Sequence, residues 1–100
     1  MPAPDPRPPG TAATVERIRA LVQDALRPEA LQIADDSAAH AGHAGAAGGG
    51  GHFRLHIVSE RFVGLSRLER HRLVHTLLAE LLDSRIHALA LKTDAPGERR

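Results

Sequence analysis

The hydrophobic pattern of the chain begins at Thr14, a candidate N-cap for a helix. The apolar positions after it recur at helical spacing up to Pro28, which a helix cannot pass; they are Val15, Ile18, Leu21, Val22, Ala25 and Leu26. The preceding residues 1–13 hold five of the seven prolines and no apolar periodicity. We therefore expect a disordered proline-rich tail over 1–13 and an amphipathic helix from Thr14.

A second helix is predicted over about residues 66–83, after a short helical turn around residues 60–63. Ser66 and Glu69 have the spacing of a capping box, in which each side chain binds the backbone N–H of the other residue. The face expected to be buried is rich in leucine and consists of Leu68, Leu73, Val74, Leu77, Leu78, Leu81 and Leu82.

Three other segments have the two-residue period of a strand with one buried face. The first is centred on Leu31 and Ile33, the second covers residues 52–59, and the third covers residues 86–92. The buried face of the second strand is expected to consist of Phe53, Leu55 and Ile57. Helices on one face of a three-stranded sheet form a two-layer α+β domain, which we place at residues 14–93, with a polar tail over 94–100.

The predicted topology brings distant histidines together. The segment between the first two strands, residues 38–51, contains only Ala, Gly and His, so we expect a long loop there. A right-handed helical crossover makes the second and third strands parallel, and their starts then lie at the same end of the sheet. His87, at the start of the third strand, should therefore lie near the loop that carries His40 and His43.

The composition excludes several classes of function. The chain has 100 residues, no cysteine and a net charge of +1, and its aromatic fraction is 2%. These values rule out disulfides, thiol catalysis and cysteine zinc sites, and they provide neither a strong attraction to phosphate backbones nor a stacking platform for bases. Because no nucleophile has an evident base, we expect no enzyme. With no signal peptide or spanning segment in the pattern, we expect a cytoplasmic protein that does not bind membranes.

Several motifs in combination resemble the BolA family. They are the acidic turn and His-Gly loop (Asp35 to Gly45), the His52-Phe53 strand start, Phe62-Val63-Gly64, Arg70-His71-Arg72 and Ile86-His87-Ala88-Leu89. The resemblance covers the chain after the tail. It implies an α-β-β-α-α-β fold with a mixed three-stranded sheet, similar to the type II KH domain, in agreement with the element order read from the pattern.

The resemblance also implies a function and a site. Members of this family pair with monothiol glutaredoxins of the Cys-Gly-Phe-Ser type, share a bridging 2Fe-2S cluster with them and with glutathione, and act in iron-sulfur cluster trafficking or iron homeostasis. By the family motif, His87 is a cluster ligand and His43 is the best match for the second, with His40 and His52 as alternatives. The isolated chain is expected to hold no cluster tightly and to be a monomer or a weak dimer.

Other interpretations of the basic and imidazole side chains stay open. Arg70, His71 and Arg72, near the start of the second long helix, are candidates for contact with the partner or for a solvated face. A KH-like DNA-binding transcriptional regulator that uses Arg67, Arg70 and Arg72 is the main alternative function, although the low net charge counts against it. A histidine-rich protein that binds Zn, Ni or Cu is a third interpretation.

Overall fold

The structure, a computed structural model, describes residues 11–36 and 51–98. Two long helices, a short third helix and three strands make up this part of the chain, with one 3₁₀ turn at Glu60–Phe62. In chain order, the helices and strands are α1 (Thr11–Leu26), β1 (Ala30–Asp35), β2 (Gly51–Val58), α2 (Arg67–Leu77), α3 (Ala79–Ser84) and β3 (Ile86–Asp94). This order confirms the α-β-β-α-α-β fold, and the helical turn predicted ahead of the second long helix is the 3₁₀ turn.

The sheet has the strand order β1-β2-β3. β1 pairs with β2 in antiparallel orientation, from Ala30 opposite Val58 to Asp35 opposite Phe53. β2 pairs with β3 in parallel orientation, and the helical segment between them forms the crossover. The parallel pairing predicted from the crossover rule is therefore confirmed, and the starts of β2 and β3 lie at the same end of the sheet.

The helices cover one face of the sheet and bury an aliphatic core with two phenylalanines. From the sheet, the core takes the side chains of β2 that were predicted to point inward, together with Ile86. From the helices and the junction between α2 and α3, it takes mainly Ile18, Val22, Val74 and the junction residue Leu78. None of the helices within residues 11–36 and 51–98 has the length and apolarity needed to cross a membrane.

The first helix extends further than the pattern predicted. It already includes Thr11, and both Thr11 and Thr14 are buried. Thr14 is therefore an internal helix residue and not the N-cap, so the predicted boundary of the tail at residue 13 is wrong by at least three residues. The reason is that Ala12 and Ala13 are small, strong helix formers that add no apolar periodicity to the pattern but readily extend the helix.

The predicted second long helix is divided at Leu78 into α2 and α3. Ser66 and Glu69 form the predicted capping box, but Leu78 leaves the helical conformation, with φ −101° and ψ 12°. Leu68 and Leu73, expected in the core, are exposed. At about 100° per residue they lie a quarter turn or more away from Val74, on either side of the face that contacts the core.

Residues 95–98, which follow β3, belong to the folded domain and not to a polar tail. β3 continues to Asp94, whose carbonyl accepts a hydrogen bond from the Ser59 amide at 3.0 Å. Ala95 is buried in the core, and the carboxylate of Glu98 binds Arg70. The predicted domain boundary at residue 93 is therefore too early. The charged and turn-forming residues of this segment indicated a tail, whereas its contacts with the domain form only in the tertiary structure.

Candidate functional site

A β-bulge at the start of β3 determines the position of His87. Gly51 lies opposite Ile86, but the next residue of β2, His52, lies opposite Ala88. His87 is thus the extra residue of the bulge, with no partner of its own in the register. Bulges commonly redirect a side chain at the end of a strand, and His87 is exposed.

The sequence of β3 explains why a bulge forms there. Ile86 belongs to the core, and Leu89 and Leu91 pack against it. Strict alternation cannot place residue 86 on the same face as residues 89 and 91, because their spacing is odd. One extra residue allows residue 86 to share a face with residues 89 and 91, and that residue is His87.

The bulge places the ring of His87 next to that of His52. The two ring centroids lie 5.1 Å apart, and the ring planes are inclined by 44°. His87 is exposed, whereas His52 is half-buried. Neutral imidazoles are ligands for iron, zinc, copper and nickel. This pair therefore presents two candidate metal ligands, contributed by two strands, at one end of the sheet.

The segment that carries the other candidate ligands is flanked by Asp36 and Gly51, which lie beside this pair. The amide of Asp36 donates to the carbonyl of His52 at 2.8 Å, and the amide of Gly51 donates to the carbonyl of Arg85 at 3.0 Å. His40 and His43 lie in residues 37–50, outside the described part of the chain. Their predicted ligand roles stay predictions, but residues 36 and 51 attach their segment to the end of the sheet that carries His87.

An ion pair that the sequence did not predict joins β1 to β2 next to this end of the sheet. Arg54 Nε donates to Asp36 Oδ2 at 2.6 Å, and the hydrogen bond and charge of Asp36 raise the pKa of Arg54 above its ordinary value. Asp36 was interpreted only as a turn residue. The antiparallel register, which places Ala34 opposite Arg54, is what brings residue 36 within reach.

Arg70 does not have the exposed position that its predicted partner role required. Its side chain is 11% exposed and forms a bidentate pair with Glu98, with Nη1···Oε1 at 2.7 Å and Nη2···Oε2 at 3.0 Å. This hydrogen-bonded pair raises the pKa of Arg70. Because these contacts occupy the guanidinium in the described fold, Arg70 is not open to a partner or to DNA while Glu98 is bound, and its predicted contact role stays a prediction.

The other basic residues of α2 are accessible but do not form one surface. Arg67 and Arg72 are exposed and His71 is half-buried. Arg67 and Arg72 are five positions apart, which corresponds to about 140° around the helix. They therefore point in clearly different directions, and a flat ligand surface cannot contact both with equal ease.

Within residues 11–36 and 51–98, the histidine pair and Arg70 form two groups at opposite ends of the sheet. His52 and His87 lie where β2 and β3 begin, whereas Arg70 contacts the carbonyl of Thr93 near the end of β3. Residues 87 and 93 are separated by roughly 20 Å along an extended strand. A partner that contacts both groups must therefore cover the length of the sheet.

No cluster of three or more histidine, aspartate or glutamate ligands occurs among residues 11–36 and 51–98. His56 is half-buried, and its Nε2 lies 2.8 Å from Asp94 Oδ2. Parallel pairing produces this contact, since it aligns the ends of β2 and β3. The His52–His87 pair is thus the candidate metal site that the described residues offer.

Comparison with known proteins agrees with this fold and these motifs. The family described as BolA-like protein matches residues 22–98. Human BolA-like protein 1 is 47% identical over 83 residues, which are 83% of this chain and 58% of that protein, so the chain spans little more than half of it. The "DNA-binding transcriptional regulator BolA" of Escherichia coli is 41% identical over 78% of this chain and 71% of that protein.

A solved structure supports the same assignment. The structure of BolA1 from Arabidopsis thaliana superposes with a TM-score of 0.74 at 43% identity, and the match covers 85% of this chain and 94% of that one. A match to the family over most of the chain and a shared fold at this level of identity leave one conclusion. The chain belongs to the BolA family.

Proposed function

We propose that this chain is an adaptor that binds a monothiol glutaredoxin of the Cys-Gly-Phe-Ser type and co-ligates a bridging 2Fe-2S cluster with it. In this role the chain acts in iron-sulfur cluster trafficking or iron homeostasis and performs no catalysis itself. The observation that supports the proposal most is the exposed His87, which the β-bulge places beside His52 at the end of the sheet where the histidine-bearing loop is attached.

The residues of this chain fit a shared cluster better than one of its own. Iron-sulfur clusters are normally held by cysteine thiolates, and histidine replaces some of them in certain centres. This chain has no cysteine, so it contributes imidazoles while the partner and glutathione contribute thiolates. In the proposal, His87 is one ligand and His43 of the loop is the second, and His52 and His40 are the competing candidates for the second position.

Partner contact in this proposal involves the surface around His87 and the exposed side of α2. The exposed Arg72 and half-buried His71 are available to an acidic partner surface, whereas Arg70 supports the fold beneath them. Because His87 and the Thr93 carbonyl that Arg70 contacts are separated by about 20 Å along β3, we expect cluster ligation and α2 contact to be separable. Variants of Arg72 should weaken association without changing the spectrum of the cluster once it is bound.

The proposal is tested by anaerobic titration of the chain into a glutathione-loaded, cluster-bearing monothiol glutaredoxin. The titration is monitored by visible circular dichroism. We expect a new spectrum that saturates at one chain per glutaredoxin. A His56→Ala variant is the matched control for histidine variants of the proposed site. His56 is a half-buried histidine of β2 that pairs with Asp94 away from the bulge. A spectrum that the wild-type chain leaves unchanged would remove the proposal.

A second candidate function is DNA binding, which the name of the Escherichia coli relative favours. In this chain the exposed Arg67 and Arg72 are the available phosphate contacts from the predicted set. Two such contacts predict a slope of about −2 for log K against log salt concentration on duplex DNA. We expect Arg67→Glu with Arg72→Glu to abolish whatever salt-dependent binding the wild type shows. Binding that survives both reversals would contradict a role for this helix.

A further inference from the structure

The segment after β3 turns back onto the fold through a Pro-Gly turn. The amide of Glu98 donates to the carbonyl of Ala95 at 3.1 Å, and Gly97 has a φ of +88°. Proline at the second position and glycine with positive φ at the third are the residues that a type II turn favours. The turn also directs the Glu98 carboxylate to the amide of Ala95, which donates to Oε1 at 2.9 Å.

Three N–H donors converge on this one carboxylate. Arg70 supplies two of them through Nη1 and Nη2, in the fork geometry that matches a carboxylate, and the amide of Ala95 supplies the third. The side chain of Arg70 is 11% exposed, and that of Glu98 is 45% exposed. The donors therefore belong to the packed part of the domain, and the acceptor is on its surface.

Contacts that do not involve Glu98 hold the guanidinium in place. Nε of Arg70 donates to the carbonyl of Leu65 at 3.0 Å, and Nη1 also contacts the carbonyl of Thr93 at 3.2 Å. The guanidinium carbon lies 5.8 Å from the centroid of the buried Phe62 ring. With these contacts the outward edge of the guanidinium keeps its position if the carboxylate leaves, which is the condition for a preorganised binding site.

We propose that Arg70 and the amide of Ala95 form a carboxylate-binding site that Glu98 occupies in cis and that a carboxylate from outside the chain occupies when Glu98 leaves. A buried guanidinium deprived of its anion is strongly destabilised, so the vacant site favours another carboxylate. The external group is a small organic acid or the acidic side chain of another protein. The site is distinct from the proposed cluster site, because it lies at the opposite end of β3 from His87.

The Pro-Gly turn that holds Glu98 at the site determines how strongly an external carboxylate competes with the Glu98 carboxylate. A group held by a short turn acts at an effective concentration in the millimolar range or above. The wild-type chain should therefore bind free carboxylates weakly, and removal of the Glu98 side chain should strengthen binding. A Gly97→Ala substitution should have an intermediate effect, since alanine disfavours the positive φ of the turn but leaves both Arg70 and the Glu98 carboxylate in the chain.

The test is a titration of the full chain with sodium acetate, in which the NMR signals of the Arg70 Nε–H and the Ala95 amide are monitored. Sodium chloride at equal ionic strength is the control for the anion, and Glu60→Ala, which removes another exposed carboxylate, is the control variant. We expect saturable shifts of both signals. The half-saturating acetate concentration should be at least tenfold lower in Glu98→Ala than in the wild type, with Gly97→Ala between them and Glu60→Ala equal to the wild type.

Two peptides then distinguish the sources of the carboxylate. N-acetyl-Ala-Glu-Ala-amide carries one acidic side chain, and N-acetyl-Ala-Gln-Ala-amide is its neutral match. Acetate binding without peptide binding would support a small-acid site, and binding of the glutamate peptide alone or together with acetate would support recognition of protein side chains. Equal responses of the wild type and Glu98→Ala, or equal effects of acetate and chloride, would overturn the proposal.

Discussion

Replacement of His87 by alanine is expected to abolish the spectrum of the shared cluster. The side chain is exposed and is the extra residue of a bulge, so its removal deletes a proposed ligand without opening a cavity in the core. Surface substitutions of this kind change stability by about 0.5 kcal/mol or less. Visible circular dichroism should therefore show no new species on titration into the glutaredoxin, while the thermal unfolding midpoint of the variant stays close to that of the wild type.

Two further variants identify the second ligand in the same titration. If His43 is that ligand, His43→Ala should alter the spectrum and His52→Ala should leave its form unchanged. If the ring of His52, 5.1 Å from that of His87, takes the position, the two results are reversed. A shared-cluster spectrum that forms normally with His87→Ala would contradict the assignment of this residue, even if cluster transfer itself is observed.

Replacement of Phe62 by alanine is expected to cause the largest loss of stability among the substitutions considered. The ring is completely buried in the core and supports the guanidinium of Arg70. Removal of a buried phenylalanine typically costs about 3–5 kcal/mol, against a total of about 5–15 kcal/mol for a domain. At roughly 4–8 °C per kcal/mol, the thermal midpoint should fall by more than about 10 °C.

The neighbouring residue is the matched control for this prediction. Val63 is 64% exposed, so Val63→Ala should change the free energy of unfolding by no more than about 0.5 kcal/mol. Both variants can be compared by chemical denaturation monitored by far-UV circular dichroism. Equal stabilities of Phe62→Ala and Val63→Ala would show that the connector between β2 and α2 is not part of the core.

Much of the fold followed from local patterns. Alternation identified β2, helical spacing identified α1 and most of α2, and the helical crossover between β2 and β3 predicted their parallel pairing. Such predictions succeed because each depends on the period of a single segment or on one general rule of connection. The exposed Leu68 and the break at Leu78 were not predictable in this way, since they depend on which part of an apolar face meets the core.

The features of the candidate site also divide into those that the sequence predicted and those that depend on the tertiary structure. The sequence was sufficient to predict that His87 lies at the end of the sheet where residues 36 and 51 flank the histidine-bearing segment, because topology alone determines that end. The odd spacing of Ile86 from Leu89 and Leu91 is visible in the sequence, but only the tertiary structure showed that these residues pack on one core and that the bulge places His87 beside His52. The sequence predicts Arg70 as part of a basic surface motif, but in the fold its guanidinium pairs with Glu98, 28 residues away. Long-range contacts of this kind leave no periodic signal in the chain.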